Sequence, residues 1–265
     1  MYFYTFEHLK CRIISNVRFF IIILILLYFI KMNNIFIKQL YNIHKDDLLK
    51  IRNKMKINHT FGHPQYDDIE AELTILFILH YKPKNIIEFS PCTGWSTSII
   101  LDTLELINNN SRLSSYDIVD RCSTFIKGLN HKNVEWNFEL GDVTKKFYTW
   151  NLDTIDYLFI DSDHSSEFAV KFINGLLVPL LKNCKLNNRK VIVSVHDIYH
   201  GRKDEPIEEG KEVINFLSKN NIEYYTVAKC LIQNYNVINN FRHSIGITEL
   251  IHPHPTNPSI FFILE

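Results

Sequence analysis

The stretch Ile86-Ile-Glu88-Phe-Ser-Pro-Cys-Thr-Gly94-Trp-Ser-Thr97 decides how this chain folds. Asn85 to Phe89 is a short apolar run bounded by turn chemistry, with Lys82-Pro83 before it and Ser90-Pro91 after it. Such a run predicts a buried strand. Ser90 to Thr97 is rich in small and turn-forming residues and predicts a tight loop. From Ser98 to Ile107 the apolar residues return at helical spacing. Strand, tight loop and helix make the first half of a crossover unit, whose next strand lies parallel to the first.

The same alternation continues downstream. Strands are predicted at Arg112 to Tyr116, Val134 to Leu140, Ile155 to Ile160 and Lys190 to Val195. Helices are predicted at Phe168 to Leu181 and Glu208 to Leu217, and terminal strands at Glu223 to Ala228 and Ser259 to Leu264. Upstream, Asp67 to His80 reads as a helix with acids in its first turn. The fold class that follows is α/β: a Rossmann-like, mostly parallel seven-stranded sheet with helices on both faces.

Composition bounds the function. The chain is 46% hydrophobic and 22% charged, a globular balance. Its 29 basic residues equal its 29 acidic ones, so no electrostatic footprint for a nucleic-acid partner covers the domain. The five cysteines are widely spaced with no CxxC, which argues against a disulfide framework or zinc knuckle.

Four predicted strands in succession are followed by an acid: Asp117, Asp142, Asp161 and Asp197. Ligands of open α/β sheets bind at the carboxyl ends of the strands, so these acids line one crevice. Together with the turn after the first strand, they resemble the class I S-adenosylmethionine-dependent methyltransferases. The resemblance covers residues about 65–265. It implies a cofactor site in which Glu88 lies near the ammonium group, directly or through water. Ser90, Pro91, Gly94, Trp95 and Ser96 form the turn beneath the methionine part. Asp117 binds the ribose hydroxyls, Asp142 lies near the adenine amino group, and Asp161 closes the pocket. Ser90 and Cys92 stand where the family often has glycine, although a variant branch carries a similar turn. Trp95 has two readings, stacking on a ligand or packing in the core. A nicotinamide-binding fold would want GxGxxG after the first strand, and none is present.

A second stretch, Phe159-Ile-Asp161-Ser-Asp163-His164-Ser-Ser-Glu167, resembles a segment of small-molecule and sugar O-methyltransferases. In catechol O-methyltransferase and its relatives, carboxylates after the fourth and fifth strands hold a magnesium ion. The resemblance places Asp161 and Asp197 in that role, with Asp163 and His196 beside them, and Mg2+ suits such oxygen ligands. His164 and His196 are the candidate proton acceptors, with His200 a third, because imidazole titrates near neutral pH. Against these stand plainer roles: Asp163 capping the next helix, and His164 an ordinary loop residue.

Phe19 to Ile30 is unbroken apolar sequence, roughly 18 Å of helix. It reads as a membrane anchor, as a packing helix, or as an extension before a start at Met32; a signal peptide lacks its cleavage site. The domain organisation expected is a hydrophobic N-terminal segment over 1–32, a basic helical connector over 33–56 and a methyltransferase-like domain over 57–265. Flanking lysines lean the larger domain toward the cytoplasm. Gly62-His63-Pro64-Gln65 reads as a lid or as a plain turn. The expected activity is O-methylation of a small molecule or sugar, with S-adenosylmethionine and Mg2+. The alternative is an inactive scaffold of the same fold, tethered to a membrane.

Overall fold

The computed structural model describes residues 33–59, 66–199, 205–253 and 259–265. The apolar segment Phe19 to Ile30, the Gly62 to Gln65 turn and His200 lie outside the described residues. Among the described residues no helix is long and apolar enough to cross a membrane.

Helix α1 covers residues 33–58. There follow α2 (Asp68–Tyr81), β1 (Asn85–Phe89), α3 (Trp95–Ile107), β2 (Ser111–Asp117), α4 (Ser123–Gly128) and β3 (Val134–Leu140). The chain continues through β4 (Tyr157–Ile160), α5 (Ser166–Phe172), α6 (Val178–Asn187) and β5 (Val191–Val195). It ends with α7 (Glu209–Lys219), β6 (Tyr224–Thr226), α8 (Ile232–Ser244) and β7 (Ile260–Leu264). The seven strands form one sheet in the order β3-β2-β1-β4-β5-β7-β6. The first five are parallel, and β7 lies antiparallel between β5 and β6.

Period-two alternation divides the core between the two faces of this sheet. Ile86, Leu113, Tyr157, Phe159, Ile192 and Phe261 pack with α1, α2, α3 and α8. Their neighbours Ile87, Leu158, Ile160, Val193 and Phe262 pack with α5, α6 and α7. Strands buried on both faces read as continuous apolar runs, which is why β1, β4, β5 and β7 were legible.

The predicted helix Phe168 to Leu181 is helical throughout, within residues 166–187, but not uniformly α. A π-helical turn at Ile173–Leu177 separates α5 from α6. Pro179 sits in the first turn of α6, where its missing N–H interrupts the α ladder. Gly175 in this turn lies against Phe147, whose ring is 2.9 Å from where a Cβ would stand.

Helix α2 is buried on all sides, acids included. Its cap is a capping box: Asp67 accepts from the Ile69 amide, and Glu70 accepts from the Asp67 amide at 3.0 Å. Asp68 accepts from the amides of Ile251 and His252, both at 2.7 Å. Glu72 receives two hydrogen bonds from Arg242 at 2.6 Å each, one from Tyr41 at 2.6 Å, and a short one from Arg52. The first-turn acids, expected to offset a helix dipole, therefore join α1, α8 and the 249–252 segment to the core.

Candidate active site

The sheet order reverses at β1, which has β2 on one side and β4 on the other. Ligands of open α/β sheets bind at such a reversal, outside the carboxyl ends of the strands. The predicted site residues fall on both sides of it.

On the β1–β2 side, the turn has left-handed backbone at three positions, of which one is glycine. Ser90 (φ 53°), Cys92 (φ 49°) and Gly94 (φ 90°) are all left-handed. The Ser90 amide donates to Tyr116 O at 2.7 Å and the Gly94 amide to Pro91 O at 2.7 Å, which fixes the curl. A Cβ on Gly94 would come within 3.0 Å of the Cys122 Cβ and the Ile126 Cδ1. Close packing against α4 and positive φ together require glycine here. Left-handed backbone costs other residues about 1–2 kcal/mol. Ser90→Gly is therefore expected to stabilise the chain by about 0.5–1 kcal/mol after its own entropic loss, read as a raised Tm. A lower Tm would mean that the serine side chain compensates for the strain.

Glu88 is fully buried and is the hub of this turn. Its carboxylate accepts from Ser115 Oγ at 2.6 Å, Ser96 Oγ at 2.7 Å and Thr97 Oγ1 at 2.8 Å. It thus ties β1 to β2 and to the first turn of α3. Burial pushes its pKa up to about 7 against the pull of the three hydroxyls. A carboxyl raised from 4.5 to about 7 holds a proton in the folded chain that the unfolded chain has released. Stability should therefore fall as pH rises between those values, by roughly 3 kcal/mol over the window. Glu88→Gln removes the titrating group, and its melting temperature should vary less with pH over that range. An unchanged pH profile would show that Glu88 is ionised throughout.

Asp117 ends β2, half-exposed. It accepts two long amide hydrogen bonds, from Cys92 at 3.3 Å and Val119 at 3.2 Å, which leaves acceptor capacity toward the crevice. Asp142, exposed beyond β3, caps the 3-10 turn Val143–Lys145 by accepting from the Thr144 amide and hydroxyl. Those bonds lower its pKa. Trp95 is 3% exposed and lies in the core, edge-on to His59 at 5.7 Å. Pro91 is buried as well.

On the β4–β5 side the sequence leaves convergence open, and the structure brings the groups together. Asp161 follows β4; His196 and Asp197 follow β5. His196 Nδ1 lies 3.2 Å from Asp161 Oδ1 and 3.4 Å from Asp197 Oδ1. One ligand atom from each of the three residues lies within 4.8 Å of the others. His164 Nε2 lies 3.1 Å from Asp197 Oδ2 and 3.9 Å from Asp161 Oδ1. Burial lowers the pKa of both imidazoles, but the surrounding carboxylates outweigh it and raise them. Asp163 stays outside the cluster. It accepts from the Ser165 amide at 3.0 Å, and Ser165 itself caps α5.

Two members of the cluster were not singled out by the sequence. Glu209, 2% exposed, accepts from His164 Nδ1 at 3.0 Å, so the ring is held with Nε2 toward the aspartates. Burial raises the Glu209 carboxyl to about 7, against the pull of His164. Glu70, from the α2 cap, stands 3.6 Å from His196 Nε2. In the sequence Glu209 is one of several acids opening a predicted helix, and Glu70 has the signature of a cap. Nothing local marks either as part of a site.

No protein-family model matches the chain, and no curated protein matches it by sequence. Solved structures do resemble it. One is a Staphylococcus aureus protein provisionally assigned as a caffeoyl-CoA O-methyltransferase. It is 13% identical, with 88% of this chain and 99% of that one covered, at a TM-score of 0.50. Another is an O-methyltransferase from Bacillus cereus in complex with S-adenosylhomocysteine (12% identity, 82% and 89% coverage, TM-score 0.49). With its sheet order and its antiparallel seventh strand, the chain has the Rossmann-like fold of the class I methyltransferases.

Proposed function

We propose that this chain is an S-adenosylmethionine-dependent methyltransferase that methylates a hydroxyl of a small molecule or sugar. One observation carries the reading. Asp117, an acid with free acceptor capacity, and a histidine–aspartate cluster stand at the carboxyl edge of one sheet, on either side of the reversal at β1. The assignment of the Staphylococcus aureus protein, whose fold this chain resembles, supports it.

The residues fit the cofactor in distinct ways. Asp117 accepts hydrogen bonds from a pair of vicinal hydroxyls. Gly94 lets a ligand approach the backbone of the turn, which Glu88 holds in shape through Ser96, Thr97 and Ser115. Asp142 offers its second carboxylate oxygen to an exocyclic amine. The cofactor would supply an electrophilic methyl group, and a divalent ion held by Asp161 and Asp197 would lower the pKa of the acceptor hydroxyl. His164 is the better placed of the two imidazoles to take the hydroxyl proton. Its side chain is 38% exposed, whereas that of His196 is 5% exposed. Glu209 holds the ring so that Nε2 faces the crevice. Displacement at a methyl group is in-line, so this positioning contributes much of the rate.

Nothing among the described residues favours the inactive scaffold, since the turn keeps its left-handed path despite Ser90 and Cys92. The test is transfer of a labelled methyl group to a panel of catechols, hydroxylated aromatics and sugars. Labelled product with release of S-adenosylhomocysteine supports the reading. Failure of the folded, cofactor-binding chain across the whole panel would contradict the substrate class.

A further inference from the structure

We infer that His196 is a direct metal ligand and that the site therefore takes a first-row transition cation in preference to Mg2+. The inference deepens the proposed function. It rests on that reading for what the ion does, but not for whether the ion binds.

The donor set is one imidazole and two carboxylates: His196 Nδ1, Asp161 and Asp197. The nitrogen lies 3.2 Å and 3.4 Å from the two aspartate oxygens. Ligands around one ion at bond lengths of about 2.1 Å are spaced about 3.0 Å apart in an octahedron and about 3.4 Å in a tetrahedron. The observed separations fall in that interval without rearrangement.

The far side of the ring supplies an independent observation. His196 Nε2 is buried and makes no hydrogen bond, yet it faces the Glu70 carboxylate at 3.6 Å. Glu70 is itself held by the Asp67 amide and by the amide and hydroxyl of Ser259. A carboxylate behind the distal nitrogen favours a proton on Nε2. Nδ1 donates to Asp161 at 3.2 Å, and a cation held between the aspartates would take the place of that proton. This carboxylate–histidine pair is the usual support of a metal-binding imidazole. The ring is also locked, with Tyr66 packed 5.3 Å from it. Helix α2 therefore reaches the site through Glu70, although none of its residues was expected there.

Imidazole nitrogen discriminates among ions. Mg2+ demands oxygen ligands and parts reluctantly with water, whereas Mn2+, Fe2+, Co2+ and Zn2+ accept imidazole with carboxylate. His164 takes no part in this set. It is left beside Asp197 as the proton acceptor, so the two histidines have different work.

The probe is Mn2+ alone, added to the full chain stripped of metal. Pulsed electron paramagnetic resonance should show coupling to a directly bound nitrogen. Mg2+ in roughly 100-fold excess should fail to displace the ion. His196→Asp converts the set to oxygen only; the nitrogen coupling should vanish and the preference over Mg2+ should fall by about tenfold or more. Circular dichroism establishes that the variant is folded, and the wild-type spectrum decides the matter should it not be. An oxygen-only Mn2+ spectrum, ready displacement by Mg2+, or no binding of either ion by the folded wild type would each overturn the inference. S-adenosylmethionine binding is measured on the same metal-free sample. Binding there without a nitrogen-ligated ion would leave the methyltransferase reading standing and sink this inference alone.

Discussion

Asp117→Ala lowers the affinity for S-adenosylmethionine by about 100-fold or more, while the chain remains folded. The reason lies in where Asp117 stands. It is the last residue of β2, beside the turn that begins at Ser90, and its two amide hydrogen bonds are long. Each charge-assisted hydrogen bond to a ligand hydroxyl contributes about 1.5–3 kcal/mol. Two of them correspond to about two orders of magnitude or more in binding. The side chain supports little of the fold, so the melting temperature should move only slightly. Titration calorimetry on the variant measures the effect. Asp153→Ala serves as a control, because Asp153 accepts from Asn183 and Asn187 and lies outside the crevice. A loss below about threefold would remove Asp117 from the cofactor site.

Glu72→Gln is the substitution expected to destabilise the fold most. Glu72 is wholly buried between Arg52 and Arg242, which are 3% and 0% exposed. It accepts from both guanidiniums and from Tyr41. The carboxamide keeps the shape and removes the charge, leaving Arg242 facing a neutral group in the interior while Arg52 keeps only Asp68 at 3.3 Å. Breaking a buried pair in this way costs about 3–5 kcal/mol, because the uncompensated charge stays buried. Denaturant unfolding should show a lower midpoint with an unchanged slope. The loss should fall on the packing of α1 and α8 against α2. A cost below about 1 kcal/mol would mean that water or another carboxylate reaches the two arginines. Asp68, already 3.3 Å from Arg52, is the nearest candidate.

The strands and the helices between them were legible because burial on both sheet faces leaves continuous apolar runs. β1 and β3 lie as predicted, and β4 is shorter, beginning at Tyr157. The antiparallel sense of β7 was not legible, since a strand of Ile and Phe reads alike in either direction. Helix α8 was missed for a different reason. Its surface is largely polar and asparagine-rich, so the short apolar stripe of Tyr235, Ile238 and Phe241 that packs on the core, beside Arg242 and Asn234, does not stand out. The site was half legible. Acids at strand ends can be counted from sequence, and they gave Asp117, Asp161 and Asp197. Glu209 and Glu70 enter only through tertiary packing: α7 folds back under His164, and the α2 cap reaches His196. The turn shows the opposite limit. Ser90 and Cys92 depart from the family pattern in residue type, yet their backbone is left-handed.

The central claim is that S-adenosylmethionine binds at the carboxyl edge of β1 and β2. Hydrogen–deuterium exchange with and without the cofactor tests it most directly, because it reports where the ligand sits as well as whether it binds. The account predicts slower exchange in peptides spanning residues 90–97, 117–120 and 141–144, with α6 and the β6–β7 edge unchanged. Uniform exchange at saturating cofactor, or protection confined to another surface, would contradict it.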